Sequence, residues 1–392
     1  MKAIEMFAGI GGFHVGLESA GIDVIWANDI EPKACSVYGR HFGQDSIICG
    51  DIKELKDSVP NHDLLTAGFP CQPFSAAGKK MGVHDQVRGT LFAEIVAILE
   101  KLQPDFFILE NVKRLLSMEH GHHFRTILLA LTESGYFVEW RLLNAKHFGL
   151  AQNRERLFIV GRKRGQHLLS SDSSTFTKVH SILFLEGEFP VQDTLFSSSS
   201  ISDLLEPIAK RARFGQAGFA FGNRAYSLAP PDFPNQKPPQ LLKDVLEDDT
   251  DLRFDFTDVT NGWLKENVEV NSFINGVEIL SNQDGGRRMG YTIFGTGGLA
   301  PTLTATTSRH YERYKVGDRY RRLTNVEYAK LQGFSDNWCD SVSVYDQYGL
   351  YGNAVPPAMV EWVAGRLSER ARRSPKRAQT SKTKMAAASS YR

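Results

Sequence analysis

Cys71 stands one residue after Pro70 and two before Pro73, and it is one of only four cysteines in a chain of 392 residues. The two prolines keep it out of any helix and hold it in a rigid, extended turn. A free cysteine is more often a small buried hydrophobe, but this setting suits a thiol presented for nucleophilic attack. Glu110 closes the apolar run 106–109. Burial there raises a carboxyl pKa and lets the group hold a proton near neutral pH, unless it is simply salt-bridged. Arg154 and Arg156 precede the apolar run 157–160 and can bring guanidinium groups to the same place. Asp29 and Asp51 offer carboxylates to the hydroxyl and amino groups of a ligand, or else cap helices. The loop Phe7-Ala8-Gly9-Ile10-Gly11-Gly12 lets backbone approach a ligand beside a helix N-terminus. It is not a dinucleotide fingerprint, which needs glycine where His14 stands.

These residues need a frame. Short apolar segments at 2–6, 23–26, 46–49, 63–66, 106–109, 136–143 and 157–160 read as strands. Between them, 90–103 places Leu91, Phe92, Ile95, Val96, Leu99 and Leu102 on one helical face. A second helix over 121–134 is closed by Gly135. Alternating strands and helices predict an α/β fold, an open, doubly wound, mostly parallel sheet covered on both faces. Each unusual residue of this half falls just past the carboxyl end of a strand, where such sheets bind ligands.

Beyond residue 164 the patterns weaken. Serine-rich stretches, prolines over 230–239 and an acidic run over 247–258 suggest a second, smaller domain. The expected division is 1–202 for the catalytic and cofactor domain and 203–318 for the second domain. Residues 319–370 form a hinge and returning helix, and 371–392 a disordered basic tail. Order returns at 323–334, where Thr324 and Glu327 have capping-box spacing. Arg287, Arg288, Arg309, Arg313, Lys315, Arg319, Arg321 and Arg322 make a basic stretch suited to a phosphate backbone or to a solvated face. A composition of 42% hydrophobic and 23% charged residues is that of a soluble globular protein. No run is long and apolar enough for a membrane span, and the N-terminus does not read as a signal peptide, so a cytoplasmic location is expected. The cysteines show no paired spacing, which argues against a disulfide framework or a structural zinc site. Gly78, Gly82 and Gly89, with Lys79, Lys80 and Arg88 between them, suit a mobile basic loop that closes over a phosphate-bearing substrate.

Taken together, the motifs resemble those of the DNA (cytosine-5)-methyltransferases, in the family's order. Residues 7–12 are similar to its cofactor loop and 68–75 to its Pro-Cys-Gln element. Residues 110–112 are similar to its Glu-Asn-Val, 152–156 to its Gln-x-Arg-x-Arg, 323–334 to its late helix, and 352–356 to its Gly-Asn-x-Val segment. The resemblance implies the S-adenosylmethionine-dependent methyltransferase fold. It also implies that Cys71 adds to C6 of a cytosine flipped out of duplex DNA, with Glu110 at N3, Arg156 at O2 and Arg154 bracing them. S-adenosyl-L-methionine is the implied donor, held by Phe7, Asp29, Asp51, Ile52, Leu91 and Asn353 with Gly9, Gly11, Gly12 and Pro70, and no metal is needed. Gln72, Ser75, Lys79 and Arg88, with Thr302 and Leu303 of a threonine-leucine element, are the expected DNA contacts. The second domain takes the place of the family's target-recognition domain. A monomer is expected, paired functionally with a restriction endonuclease without a stable complex. Two departures stand out: Val326 where an arginine commonly precedes the glutamate, and Tyr348-Gly349-Leu350 before the Gly-Asn segment. The rival readings are a tRNA methyltransferase of the same fold, whose Cys-Phe-Thr tripeptide is missing, an orphan or phage DNA methyltransferase, a catalytically dead DNA-binding regulator, and a nicotinamide-dependent oxidoreductase.

Overall fold

The computed structural model describes residues 1–70, 87, 90–163, 181–183, 191–197, 214–229, 237–257, 268–282, 292–305 and 312–373. The seven expected strands are β1 (Lys2–Met6), β2 (Asp23–Asp29), β3 (Ile47–Cys49), β4 (Leu64–Gly68), β5 (Phe106–Val112), β6 (Tyr136–Asn144) and β7 (Glu155–Lys163). Among the described residues the α-helices are α1 (Gly12–Ser19), α2 (Pro32–Phe42), α3 (Ile52–Leu55), α4 (Leu91–Leu102), α5 (His122–Glu133), α6 (Asn325–Gln332), α7 (Val344–Asn353) and α8 (Pro357–Arg373).

The central strands read as unbroken apolar runs because both sheet faces are buried. Ile4, Met6, Leu65, Ala67, Phe107, Leu109, Leu157 and Ile159 pack with α4 and α5 on one side. Ala3, Leu64, Phe106, Ile108, Phe158 and Val160 pack with α1 and α8 on the other. Among the described residues the sheet has ten strands, ordered β3-β2-β1-β4-β5-β7-β6-β9-β10-β8, where β8 is Val191–Ser197, β9 Ala217–Phe221 and β10 Arg224–Leu228. Neighbours from β3 to β5 are parallel. From β5 onward they are antiparallel. The connection from β6 to β7 holds no crossover helix, so the two strands must run in opposite directions.

Strands β9 and β10 fall inside the stretch expected as the second domain, yet they extend the large sheet. Phe219 stacks on Phe137 of β6 and on Tyr226 of β10, which binds this hairpin to the first domain. The second sheet begins later, with β11 (Val268–Ile274), β12 (Val277–Asn282), β13 (Thr292–Phe294), β14 (Arg313–Val316) and β15 (Arg319–Arg321) in that order. It runs past the expected limit at 318.

The expected capping box is present on α6. Glu327 N–H donates to Thr324 Oγ1 (3.1 Å), and Thr324 N–H donates to Glu327 Oε2 (2.7 Å). Residues 348–350 lie within the single helix α7, whose Tyr348 hydroxyl donates to Leu323 O (2.7 Å). Helix α8 continues three residues into the expected tail, to Arg373. Residues 374–392 lie outside the described residues.

Candidate active site

The strand that leads to Cys71 ends in a braced corner. Gly68 of β4 is the register partner of Glu110 on β5. Phe69 is buried against Phe92 of α4, and its carbonyl accepts from Asn111 Nδ2 at 2.9 Å. Asn111 Oδ1 in turn accepts from Val112 N–H at 2.8 Å. Asn111 therefore fixes the backbone two residues before the thiol, a role the sequence reading did not assign. Pro70 is exposed at the edge of this corner. Cys71, Gln72, Ser75, Lys79 and Arg88 lie outside the described residues.

Beside that corner sits a buried ion pair. Arg156 Nε lies 2.9 Å from Glu110 Oε1, with both side chains only 11% exposed. Burial pushes the Glu110 carboxyl upward, while Arg156 and then Arg154 pull it down, and burial prevails. Glu110 Oε2 faces the bare backbone of Gly68, where a Cβ would come to 3.5 Å. The pair therefore opens toward the end of β4.

Arg154 does something else. It is wholly buried, and its guanidinium donates to three carbonyls, Leu303 O (2.8 Å), Gly352 O (2.9 Å) and Ala354 O (2.7 Å). Standing just before β7, it ties the entry of that strand to the end of α7 and to the threonine-leucine element. With every donor but Nε directed at backbone, Arg154 is a positioning residue.

The loops that follow β1, β2 and β3 come together beside this corner and leave backbone uncovered at Gly9. Phe7 adopts a left-handed backbone (φ 56°), as does Gly9 (φ 55°), around which no atom lies within Cβ contact. Gly9 N–H and Glu31 N–H donate to the Asp29 carboxylate at 2.7 and 2.9 Å. Burial raises the Asp29 pKa against those hydrogen bonds. Gly11 and Gly12 serve packing instead. A Cβ on Gly11 would strike the Phe42 ring at 2.4 Å, and one on Gly12 would strike Val355 O at 2.2 Å. Asp51 caps α3, accepting from Lys53 N–H at 3.0 Å, and Ile52 behind it is buried. Leu91 is partly buried, and Asn353 is exposed at the end of α7. Ile30, next to Asp29, is 63% exposed and gives these loops an apolar edge that the sequence reading passed over.

Under the glycine loop lies a network that was also missed. Glu5 is fully buried on β1, and Tyr38 donates to its Oε2 at 3.2 Å. His14 Nδ1 lies 2.6 Å from the Tyr38 hydroxyl, with its ring stacked on Phe42. Burial pushes Glu5 up to about 8 and His14 down to about 4. An acidic residue in β1 and a histidine in α1, both pointing under one loop, were the available signal.

The sequence profile described as C-5 cytosine-specific DNA methylase matches residues 1–369. The chain belongs to that family. It is 31% identical over 376 residues to the type II methyltransferase M.NlaX of Neisseria lactamica, covering 93% of this chain and 95% of the relative. It is 30% identical to the type II methyltransferase M1.ScrFI of Lactococcus lactis subsp. cremoris, covering 94% and 78%. In fold it is similar to the crystal structure of S. pombe Dnmt2 methyltransferase (TM-score 0.58, 18% identity, 95% of this chain and 99% of that one). A putative DNA modification methyltransferase encoded within an E. coli prophage is similar to about the same degree (TM-score 0.55, 18% identity, 95% and 99%). The chain is thus a DNA cytosine-5 methyltransferase.

Within this methylase, several expectations for the DNA side need correction. Leu303 is fully buried, its N–H held by Gln152 Oε1 (3.0 Å) and its carbonyl by Arg154. Its side chain belongs to the core and cannot touch DNA. Thr302 is partly buried, and its hydroxyl donates to Asn153 O at 2.6 Å. The basic stretch is not a uniform phosphate-binding face. Arg321 is buried in a bidentate pair with Glu327 (2.8 and 2.7 Å), and Arg313 is also buried. Arg319 is bound to Asp255 and Thr250. Arg287, Arg288 and Arg309 lie outside the described residues. Among the described residues no cluster of His, Cys, Asp and Glu could hold a metal ion, and no helix is long and apolar enough to cross a membrane.

Proposed function

We propose that this methylase attacks C6 of a cytosine rotated out of duplex DNA with Cys71, and that Glu110 and Arg156 stabilise the charge this creates. The observation that carries the reading is the buried Glu110–Arg156 pair at 2.9 Å, on the strand beside the one that runs into Pro70 and Cys71. C5 of cytosine is a weak nucleophile until a thiolate adds at C6. Negative charge then spreads over the ring toward N3 and O2. Glu110, whose pKa burial raises, holds a proton or hydrogen bond at N3, and the Arg156 guanidinium donates to O2. Arg154 keeps the surrounding loops in register without touching the base. Loss of the C5 proton and departure of Cys71 then restore the aromatic ring. Burial of the pair in a dry corner requires that the base be brought out of the stack.

The loops after β1, β2 and β3 fit S-adenosylmethionine. Asp29 offers a carboxylate edge, Gly9 leaves backbone uncovered, and Phe7 and Ile30 supply apolar walls. Asp51, Ile52, Leu91, Pro70 and Asn353 complete the proposed set, with Gly11 and Gly12 shaping the loop from behind. When bound, this cofactor supplies an electrophilic methyl group. The protein's own contribution is to hold the donor near the end of β4 and to exclude water.

The second sheet, with the segment 237–257 packed against it through Leu242, Val245 and Phe254, is proposed as the target-recognition unit. The likeness to type II methyltransferases favours a role in protecting host DNA from a cognate restriction endonuclease, and we propose that the methylase acts as a cytoplasmic monomer. Transfer of tritiated methyl groups to duplex DNA and to tRNA tests the substrate. Labelling of duplex DNA alone is expected, and labelling confined to tRNA overturns the proposal. Cys71→Ala should abolish transfer to either.

A further inference from the structure

Two cysteines that play no part in the methyl-transfer chemistry meet beside the proposed cofactor site. Cys35 lies in the first turns of α2, 7% exposed, and its thiol donates to Asp29 O at 3.4 Å. Cys49 is the exposed last residue of β3, and its Cα is the register partner of Asp29 in the parallel β2–β3 pair. Neighbouring parallel strands lie about 4.8 Å apart. Both cysteines therefore adjoin the Asp29 backbone unit, Cys35 through its sulfur and Cys49 as its strand partner, a neighbourhood in which a disulfide can form.

We propose that Cys35 and Cys49 form a reversible disulfide on exposure to a peroxide, and that this bond weakens cofactor binding. Cys49 is the accessible sulfur and reacts first. Its thiolate attacks one peroxide oxygen, forming an S–O bond and breaking the O–O bond, and the hydroxide that leaves takes up a proton as water. The Cys35 sulfur then attacks the Cys49 sulfur, forming S–S and breaking S–O. The second hydroxide leaves with the Cys35 proton, again as water. Two thiols are oxidised by two electrons, and one peroxide becomes two waters. A dithiol reductant reverses the change. Cys339, buried against the Tyr351 side chain, has no such partner among the described residues.

The link to the cofactor follows from what surrounds Cys49. Gly50 N–H donates to the same Asp29 carbonyl at 2.9 Å, and Asn28 Nδ2 holds both Ile48 O and Gly50 O at 2.9 Å. Asp51 and Ile52 follow directly. An S–S bond of about 2.05 Å draws the two sulfurs together and removes the thiol donor from Asp29 O. Asp29 and the Gly50-Asp51 turn must shift together, on the side where the cofactor is proposed to sit. This coupling rests on the cofactor reading given above; the bond itself does not.

The test uses the full chain, wild type and Cys49→Ser, each treated with hydrogen peroxide and then analysed by peptide mapping and by calorimetry with S-adenosylhomocysteine. A Cys35–Cys49 linked peptide is expected in wild type only. Affinity for the probe should fall roughly tenfold, the scale of one lost hydrogen bond, recover with dithiothreitol, and stay unchanged in Cys49→Ser. Absence of the linked peptide overturns the proposal. So does a linked peptide with unaltered affinity, since the bond then acts on nothing. If reduced wild type fails to bind the probe, the cofactor reading fails instead, and mapping still decides whether the bond forms.

Discussion

Glu110 carries opposing demands in a single side chain. Burial favours its neutral form, and two guanidiniums favour its charged form. A carboxyl balanced in this way can change protonation as a base enters and displaces Arg156 from its 2.9 Å contact. Glu110→Gln keeps shape and hydrogen bonding but cannot supply the proton. Methyl transfer should fall by about a hundredfold while DNA affinity in a filter-binding assay changes little. Equal losses in both would assign Glu110 to binding alone. Glu5 makes a separate claim about pH. Its folded pKa of about 8 lies above its ordinary value of 4.5, so its contribution to stability is complete below pH 4.5 and is lost as pH rises through 8. His14 works the other way. Its pKa is lowered to about 4, so its contribution is present above 6.5 and fades as pH falls through 4. Denaturant titrations of wild type and Glu5→Gln from pH 6 to 9 should show wild type losing stability with pH, at most roughly 1.4 kcal/mol per pH unit, while the variant stays flatter. Parallel curves would mean that Glu5 is not the group responsible.

At the scale of elements, strands and helices near residues 2–163 were legible because both periodicities are strong and the turns carry Gly, Pro and Asp. The Thr324/Glu327 capping box was readable from spacing alone. Thr324→Ala should lower stability by about 1 kcal/mol, measured as a shift in the denaturation midpoint; no shift would mean that Arg321 alone secures Glu327. What the glycines of the first loop do was not legible. They suggested a ligand, but Gly12 is required by a backbone 343 residues further along the chain, because a Cβ there meets the Val355 carbonyl. Gly12→Ala should destabilise the junction of α1 and α8 by about 1–3 kcal/mol, seen as a lower melting temperature even without cofactor. An unchanged melting temperature would return Gly12 to a purely ligand-facing role. Two strands of the second sheet escaped sequence reading for a plain reason: β13 and β15 have three residues each. That is too short to show a period.

Across the whole molecule, the chain closes on itself around the proposed site. Arg154, near the middle of the sequence, holds carbonyls at 303, 352 and 354, and Trp338 Nε1 donates to Ile10 O at 2.9 Å. The order of motifs in the sequence revealed the family, but not this convergence, since a buried guanidinium bonded to distant carbonyls leaves no local pattern. The same closure explains why a basic stretch misled: Arg319 and Arg321 secure the second sheet to its neighbours and leave fewer cations for phosphate. The central claim is that this frame presents Cys71 to cytosine C6. Its most direct measurement is a denaturing gel of the protein mixed with S-adenosylmethionine and duplex DNA in which 5-fluorocytosine replaces cytosine. Fluorine at C5 cannot leave as a proton, so the covalent species should persist as a slowly migrating, denaturation-resistant band, absent with Cys71→Ala. No such band under conditions where the cofactor binds, or a band that survives Cys71→Ala, would contradict the account.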